Sequence, residues 1–218
     1  MSNAGTEGYS ENADTLIARY DSLSFAEKYE SVLHLMPKKA SNVLDIGAGT
    51  GVDAAWLAAA GHRVIAVEPT DSLRDSAKAI HPSPLIEWLA DSLPDLQKLI
   101  SRGRSFDLVL LTAVWMHLAQ QERQKAMPNV AALLKADGVL LMSLRHGPVP
   151  ENRRMFQVSA EETILLAERE GLRNTLNVEV QSVQLVNRQA GVTWSWLAFT
   201  NVSPKASPLE LPMVRLRV

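Results

Sequence analysis

Three glycines at alternate positions, Gly47, Gly49 and Gly51, break an apolar run that begins Val43-Leu44-Asp45-Ile46, and carboxylates stand around them at Asp45, Asp53 and Glu68. A chain that leaves a buried strand and turns at once into a helix takes backbone angles that side chains resist, and glycine also lets a ligand come close to the main chain. In dinucleotide sites the spacing is G-x-G-x-x-G, which lays a pyrophosphate over the helix N-terminus. Here the third place of that pattern holds Val52. Carboxylates beside a phosphate repel it, whereas they suit a ligand bearing an ammonium and a sulfonium. Glu68 ends the run Arg63-Val64-Ile65-Ala66-Val67, 17 residues beyond Gly51. A carboxylate at that place can accept both hydroxyls of a ribose.

Alternating strands and helices are needed to bring these groups to one edge. After the first strand, an alanine-rich stretch from Val52 to Ala60 reads as a helix stopped by Gly61, and Asp71 to Ile80 reads as a second, broken by His81-Pro82-Ser83-Pro84. A third spans about Gln120 to Leu134, with an internal Pro128 expected to bend or restart it. Ser159-Ala160-Glu161-Glu162 forms a capping box for a helix ending near Gly171. Two β-runs follow without a crossover helix, Leu176–Leu185 and Thr193–Thr200, separated by Asn187 to Gly191. Strands joined so tightly must pair antiparallel. Trp194-Ser195-Trp196-Leu197-Ala198-Phe199 is apolar on nearly both faces, as an interior strand should be. Ahead of the first strand, apolar positions between 11 and 35 predict one or two helices, so 1–40 reads as an N-terminal helical lid or cap, 41–200 as the main domain and 201–218 as an extended tail with three prolines.

The ordered series VLDIGAGTG, VIAVEP, Glu87-Trp88-Leu89-Ala90-Asp91, Phe106-Asp107-Leu108-Val109-Leu110-Leu111 and Leu134 to Ser143 resembles the class I S-adenosylmethionine-dependent methyltransferase family over roughly residues 40 to 200. The resemblance implies a Rossmann-like, doubly wound α/β sheet of order 3-2-1-4-5-7-6 with strand 7 antiparallel. It implies S-adenosyl-L-methionine as cofactor and S-adenosyl-L-homocysteine as product. Carried over residue by residue, it places cofactor contacts at Asp45, Gly47, Ala48, Gly49, Gly51, Asp53, Glu68 (ribose), Pro69, Asp91 (adenine amine), Ser92, Thr112 and Ala113. It also separates this chain from two acceptor types. The turn after the fourth strand is Thr112-Ala113-Val114-Trp115 rather than the Asp/Asn/Ser-Pro-Pro-aromatic turn of nucleic-acid amine methylation, and no acid between Leu108 and Leu118 offers the ligands of a catechol-type magnesium site.

Ligands in open α/β sheets bind outside the carboxyl ends of the parallel strands. That rule nominates His117, Arg145 and His146 as catalytic or acceptor-contacting residues, with no metal. Methyl transfer is an in-line displacement, so the protein mainly aligns and desolvates, and only a hydroxyl acceptor calls for a base such as histidine. Each nominee has a plainer reading. His117 could pack at a helix start, Arg145 and His146 could satisfy carbonyls at a strand end, and Arg153 and Arg154 could be solvated. If these cations face the pocket, the acceptor is a small anion, a carboxylate or phosphate. Trp88 and Trp115 read as wall and core; Tyr9 and Tyr20 read as packing or as a lid.

Composition bounds the rest. Hydrophobic residues make up 46% and charged residues 21% of 218, typical of a folded domain. No apolar run is long enough to span a bilayer and no secretory leader is evident, so the expected location is cytoplasmic. Zero cysteines exclude disulfides, iron–sulfur clusters and a cysteine nucleophile. A net charge of −2 argues against a nucleic-acid partner. Oligomeric state is not written in the chain. The expected function is S-adenosylmethionine-dependent methyl transfer to oxygen or nitrogen of a small molecule. A protein or RNA methyltransferase, a non-catalytic binder of S-adenosyl compounds and an oxidoreductase stay open.

Overall fold

A computed structural model describes residues 25–150 and 153–201. Seven strands form one sheet in the order β3-β2-β1-β4-β5-β7-β6: β1 (Asn42–Ile46), β2 (Arg63–Val67), β3 (Ile86–Leu89), β4 (Phe106–Thr112), β5 (Leu134–His146), β6 (Leu172–Gln181) and β7 (Thr193–Asn201). The first five run parallel, and β7 inserts antiparallel between β5 and β6, pairing Met142 with Leu197 on one side and Val178 with Trp196 on the other. Interior placement explains why β7 has a run of five buried residues, while β6, at the edge, alternates half-buried and exposed. The expected strand order is the observed one.

Helices cover both faces. On one lie α1 (Phe25–Tyr29) and α2 (Val52–Ala59), closing over Val43, Val64, Leu108, Leu110 and Ala198. On the other, α5 (Gln120–Ala132) and α6 (Ala160–Arg169) close over Leu44, Val109, Leu140 and Phe199 around the fully buried Trp115. Burying each such side chain favours folding by roughly 1.5–3 kcal/mol. Between these come α3 (Asp71–Ile80), which buries Leu73 and Ala77 one turn apart, α4 (Gln97–Ile100) and α7 (Leu185–Gln189). No described helix is long and apolar enough to cross a membrane.

Several local expectations are corrected. The helix runs without a restart through Pro128, because Met127 and Val130 on either side are buried in the core and hold the turn that lacks one hydrogen bond. The sixth strand begins at Leu172 and ends at Gln181, so Leu185 opens the short α7 rather than closing a strand, and much of the presumed loop 187–191 is helical. Strand pairing with β7 over this whole length overrides the weak apolar signal of Arg173-Asn174-Thr175. Of the capping box, Ser159 Oγ does accept the Glu162 N–H at 3.1 Å, but the Glu162 carboxylate turns to Arg123, at 2.9 and 3.0 Å from its Nη2. The helices expected ahead of β1 appear as α1 and a 3-10 turn at Leu33–Leu35; residues 11–24, with Tyr20, and also Tyr9 and the tail beyond Asn201 lie outside the described residues.

Candidate active site

The glycine turn carries φ of +75° at Gly47, +54° at Gly49 and +82° at Gly51, and the three glycines serve different ends. A Cβ on Gly51 would meet the Trp88 ring at 2.6 Å, and one on Gly47 would meet Val114 Cγ2 at 2.5 Å, so packing excludes side chains there. At Gly49 the nearest atom would be the Gly47 carbonyl at 4.0 Å, which leaves open space for a ligand. The turn is anchored to β2, with the N–H groups of Gly47 and Ala48 donating to the Val67 carbonyl at 2.8 and 3.0 Å.

Glu68 follows directly on β2 and is buried. Its Oε2 accepts the Gly49 N–H at 2.9 Å and its Oε1 the Thr70 N–H at 2.8 Å. Burial pushes this carboxyl up, and the N–H bonds from Thr70 and Gly49 and the charge of Arg74 pull it back. Two of about four lone-pair positions are used, so the carboxylate can still accept a vicinal diol. Asp91 stands two residues beyond the end of β3, half-buried, and its oxygens accept the N–H groups of Ser92 (3.0 Å) and Leu99 (2.9 Å), so it also fastens α4. Glu68, Pro69, Asp91 and Ser92 line one pocket with Gly47, Gly49, Ala113, Val114 and His117.

Ala113 closes that pocket from β4 with φ +58°, an uncommon angle for a residue with a side chain, held by its N–H donating to Ser143 Oγ of β5 at 2.9 Å. His117 ends a 3-10 turn, Trp115–His117, and is buried. Its Nδ1 is 2.7 Å from the Arg154 carbonyl. A carbonyl only accepts, so Nδ1 carries the hydrogen and, in the neutral ring, Nε2 keeps the lone pair a base requires.

The other expected cofactor residues lie across the turn, toward α1 and α2. Strand alternation sends Asp45 to that face with Val43, and both Asp45 and Asp53 are buried. Asp53 Oδ2 accepts from Lys28 Nζ (2.6 Å) and from Tyr29 Oη (2.7 Å), and Tyr29 Oη is 2.8 Å from Thr112 Oγ1. Asp45 Oδ2 and Asp53 Oδ1 are buried and hold no protein hydrogen bond. Burial, then the Asp53 charge, raises the Asp45 carboxyl to about 8, against the pull of Lys28. Ala48 packs against the same core layer.

The three nominated catalytic residues are divided. Only His117 reaches the pocket lined by Glu68 and Asp91. Arg145 and His146, at the end of β5, line a second cleft of about 600 Å³ together with Met116, Met155, Phe156 and Glu162. Arg145 donates to the Pro148 carbonyl at 2.6 Å, and His146 Nε2 is 2.8 Å from Ser195 Oγ. The two pockets adjoin at the 3-10 turn, where Met116 faces one and His117 the other, and the Phe156 N–H donates to the Met116 carbonyl at 2.8 Å. Lys28, Tyr29 and Ser143 were not legible as site residues. The spacing of Phe25 and Tyr29, four apart and stacked with ring centroids 4.2 Å apart, was the available sign that Tyr29 is fixed.

A parallel sheet with an inserted antiparallel β7, a glycine turn after β1 and an acid after β2 defines a Rossmann-like nucleoside-cofactor domain. Residues 44–142 match the family model described as "Methyltransferase domain". A methyltransferase of Anoxybacillus flavithermus is 29% identical over 119 residues, 53% of this chain and 52% of that one. Among solved structures, the Burkholderia thailandensis 1,6-didemethyltoxoflavin-N1-methyltransferase superposes with a TM-score of 0.66 at 19% identity, covering 93% of this chain and 92% of that one. A TehB-like S-adenosylmethionine-dependent methyltransferase from Corynebacterium glutamicum gives 0.66 at 22%, covering 87% and 98%. Residues 44–142 are thus similar to the class I S-adenosylmethionine-dependent methyltransferase family, and the chain shares that family's fold. The chain spans about half the length of the curated relatives it matches.

Proposed function

We propose that this chain transfers the methyl group of S-adenosyl-L-methionine to an oxygen or nitrogen of a small-molecule acceptor. The observation that carries this reading is Glu68, a buried carboxylate held by the Gly49 and Thr70 N–H groups with acceptor capacity left for a ribose. Asp45 Oδ2 and Asp53 Oδ1, buried without a protein hydrogen bond, leave acceptor capacity on the other side of the turn, which fits a ligand carrying an ammonium and offers nothing to a pyrophosphate.

When bound, the cofactor supplies a methyl carbon to which the acceptor's lone pair bonds while the carbon–sulfur pair returns to sulfur, giving S-adenosyl-L-homocysteine and releasing the acceptor's proton. The chain's own work is to orient and to exclude water. Glu68 and Asp91 hold the nucleoside, Gly49 leaves it room, and Ala113 and Val114 wall the far side. His117, with Nε2 as the lone-pair nitrogen, takes the proton of a hydroxyl acceptor. The adjoining cleft receives the acceptor. Arg145 brings a permanent positive charge to it, and the acid lining it, Glu162, already pairs with Arg123, so the favoured acceptor is an anion with an apolar body against Met116, Met155 and Phe156.

Calorimetric titration with S-adenosyl-L-homocysteine and with NAD tests the cofactor half. The expected result is binding of the first alone, and a preference for NAD overturns the proposal. Incubation with methyl-labelled cofactor and fractionated cell metabolites tests the acceptor half: label should enter small anionic compounds, and label found only in protein or RNA rejects it.

A further inference from the structure

We propose that Tyr29 is a positioning residue of the cofactor pocket, acting through its hydroxyl as the tie between the two chain segments that flank the glycine turn. This inference rests on the cofactor reading above. Tyr29 is completely buried on α1, between Phe25 and Trp196, whose rings lie 4.2 and 5.1 Å from its own. Packing of the ring alone would account for a phenylalanine. The hydroxyl has further work, because it stands 2.7 Å from Asp53 Oδ2 and 2.8 Å from Thr112 Oγ1.

The direction of the chain of bonds follows from its members. Asp53 is ion-paired with Lys28 at 2.6 Å and so accepts only, which takes the single phenolic hydrogen. Thr112 must then donate to the phenolic oxygen. The order Thr112 to Tyr29 to Asp53 joins three elements far apart in sequence. Asp53 is the second residue of α2, immediately after the turn whose open side is Gly49. Thr112 ends β4, and the next two residues are Ala113, held at φ +58°, and Val114, which presses on Gly47. Tyr29 therefore sets the separation of the pocket's floor from its wall without lining the pocket itself.

The test is calorimetric titration of the full chain with S-adenosyl-L-homocysteine at a temperature well below its melting point, for the wild type, Tyr29→Phe, Thr112→Val, Thr112→Ser and the double variant Tyr29→Phe/Thr112→Val. Tyr29→Phe keeps the stacked ring and removes only the hydroxyl, so affinity should fall about tenfold, the equivalent of one hydrogen bond to a charged group. Thr112→Val should match it, Thr112→Ser, which keeps the donor, should restore wild-type affinity, and the double variant should be no weaker than either single one. If Tyr29→Phe melts lower but binds with wild-type affinity, Tyr29 is packing alone and the inference falls while the cofactor reading stands. If Tyr29→Phe does not fold, the threonine pair decides: equal affinity of the valine and serine variants overturns the inference. Absence of binding by the wild type overturns both.

Discussion

Glu68 and Gly49 are bonded across the site, the Gly49 N–H donating to Glu68 Oε2 at 2.9 Å, so the acid that would grip a nucleoside also fixes the one glycine left open to it. Shape and charge of the pocket thus come from one contact. Glu68→Ala should remove both the bond that fixes Gly49 and the proposed ribose acceptor. With charge-assisted bonds at about 1.5–3 kcal/mol each, affinity for S-adenosyl-L-homocysteine should drop at least about a hundredfold. Glu68→Gln keeps one carbonyl acceptor and should fall between. Calorimetry reads both, and wild-type affinity in the alanine variant excludes the assigned role.

The glycines should separate by phenotype. Gly51→Ala places a Cβ 2.6 Å from the Trp88 ring at φ +82°, so it should lower stability by roughly 2 kcal/mol or more from strain and overpacking. Gly49→Ala meets nothing nearer than 4.0 Å, so its folding cost should be limited to about 1 kcal/mol of backbone strain. Its methyl group, however, occupies the ligand's approach, and cofactor affinity should suffer more than stability. Thermal melts set beside calorimetry check the contrast, and equal profiles for the two variants contradict it.

Why some of this was readable and some was not follows from the length over which each signal acts. The glycine turn, the ends of β1 and β2 and the helix Asp71–Ile80 are encoded by neighbouring residues, and they fall where periodicity and turn chemistry put them. The antiparallel pairing of β6 with β7 followed from their close connection, whereas the full strand order was what the family resemblance implied. The Tyr29–Asp53 and Tyr29–Thr112 bonds span 24 and 83 positions, and the Ser143 bond that holds Ala113 spans 30. No local pattern marks such partners. Asp91 shows the intermediate case: its place after the third strand was legible, but its second task, accepting the Leu99 N–H, depended on the short α4, which Gln97-Lys98-Leu99-Ile100 is too brief to announce.

Asp45 predicts a pH dependence of folding. Burial first, then the Asp53 carboxylate, lifts its folded value to about 8 from the ordinary 3.8. Between those values the folded state holds a proton that the unfolded state has lost, so unfolding free energy falls as pH rises through this window and levels off above it. Glu68, also raised by burial, adds a slope of the same sign. Denaturant melts should therefore show wild type losing stability from pH 5 to pH 8, with a shallower loss in Asp45→Asn. Parallel curves for the two proteins exclude Asp45 as a source of the slope.

His117 is the residue whose removal should separate chemistry from binding. Its Nδ1–H is committed to the Arg154 carbonyl at 2.7 Å, so the neutral ring is held in the tautomer that leaves the lone pair on Nε2, at the boundary between the Glu68 pocket and the adjoining cleft. For a hydroxyl acceptor, His117→Ala should slow single-turnover methyl transfer by about 10²–10⁴-fold, the usual worth of a positioned base. Cofactor affinity should stay within about twofold, because the proposal gives the hydrogen bonds to the nucleoside to Glu68 and Asp91 and none to His117. An amine acceptor delivered as the free base changes the expectation in a definite way: the His117→Ala rate should then approach wild type above the acceptor's own pKa and fall below it. A loss of cofactor affinity equal to the loss of rate contradicts both forms and returns His117 to the wall of the pocket.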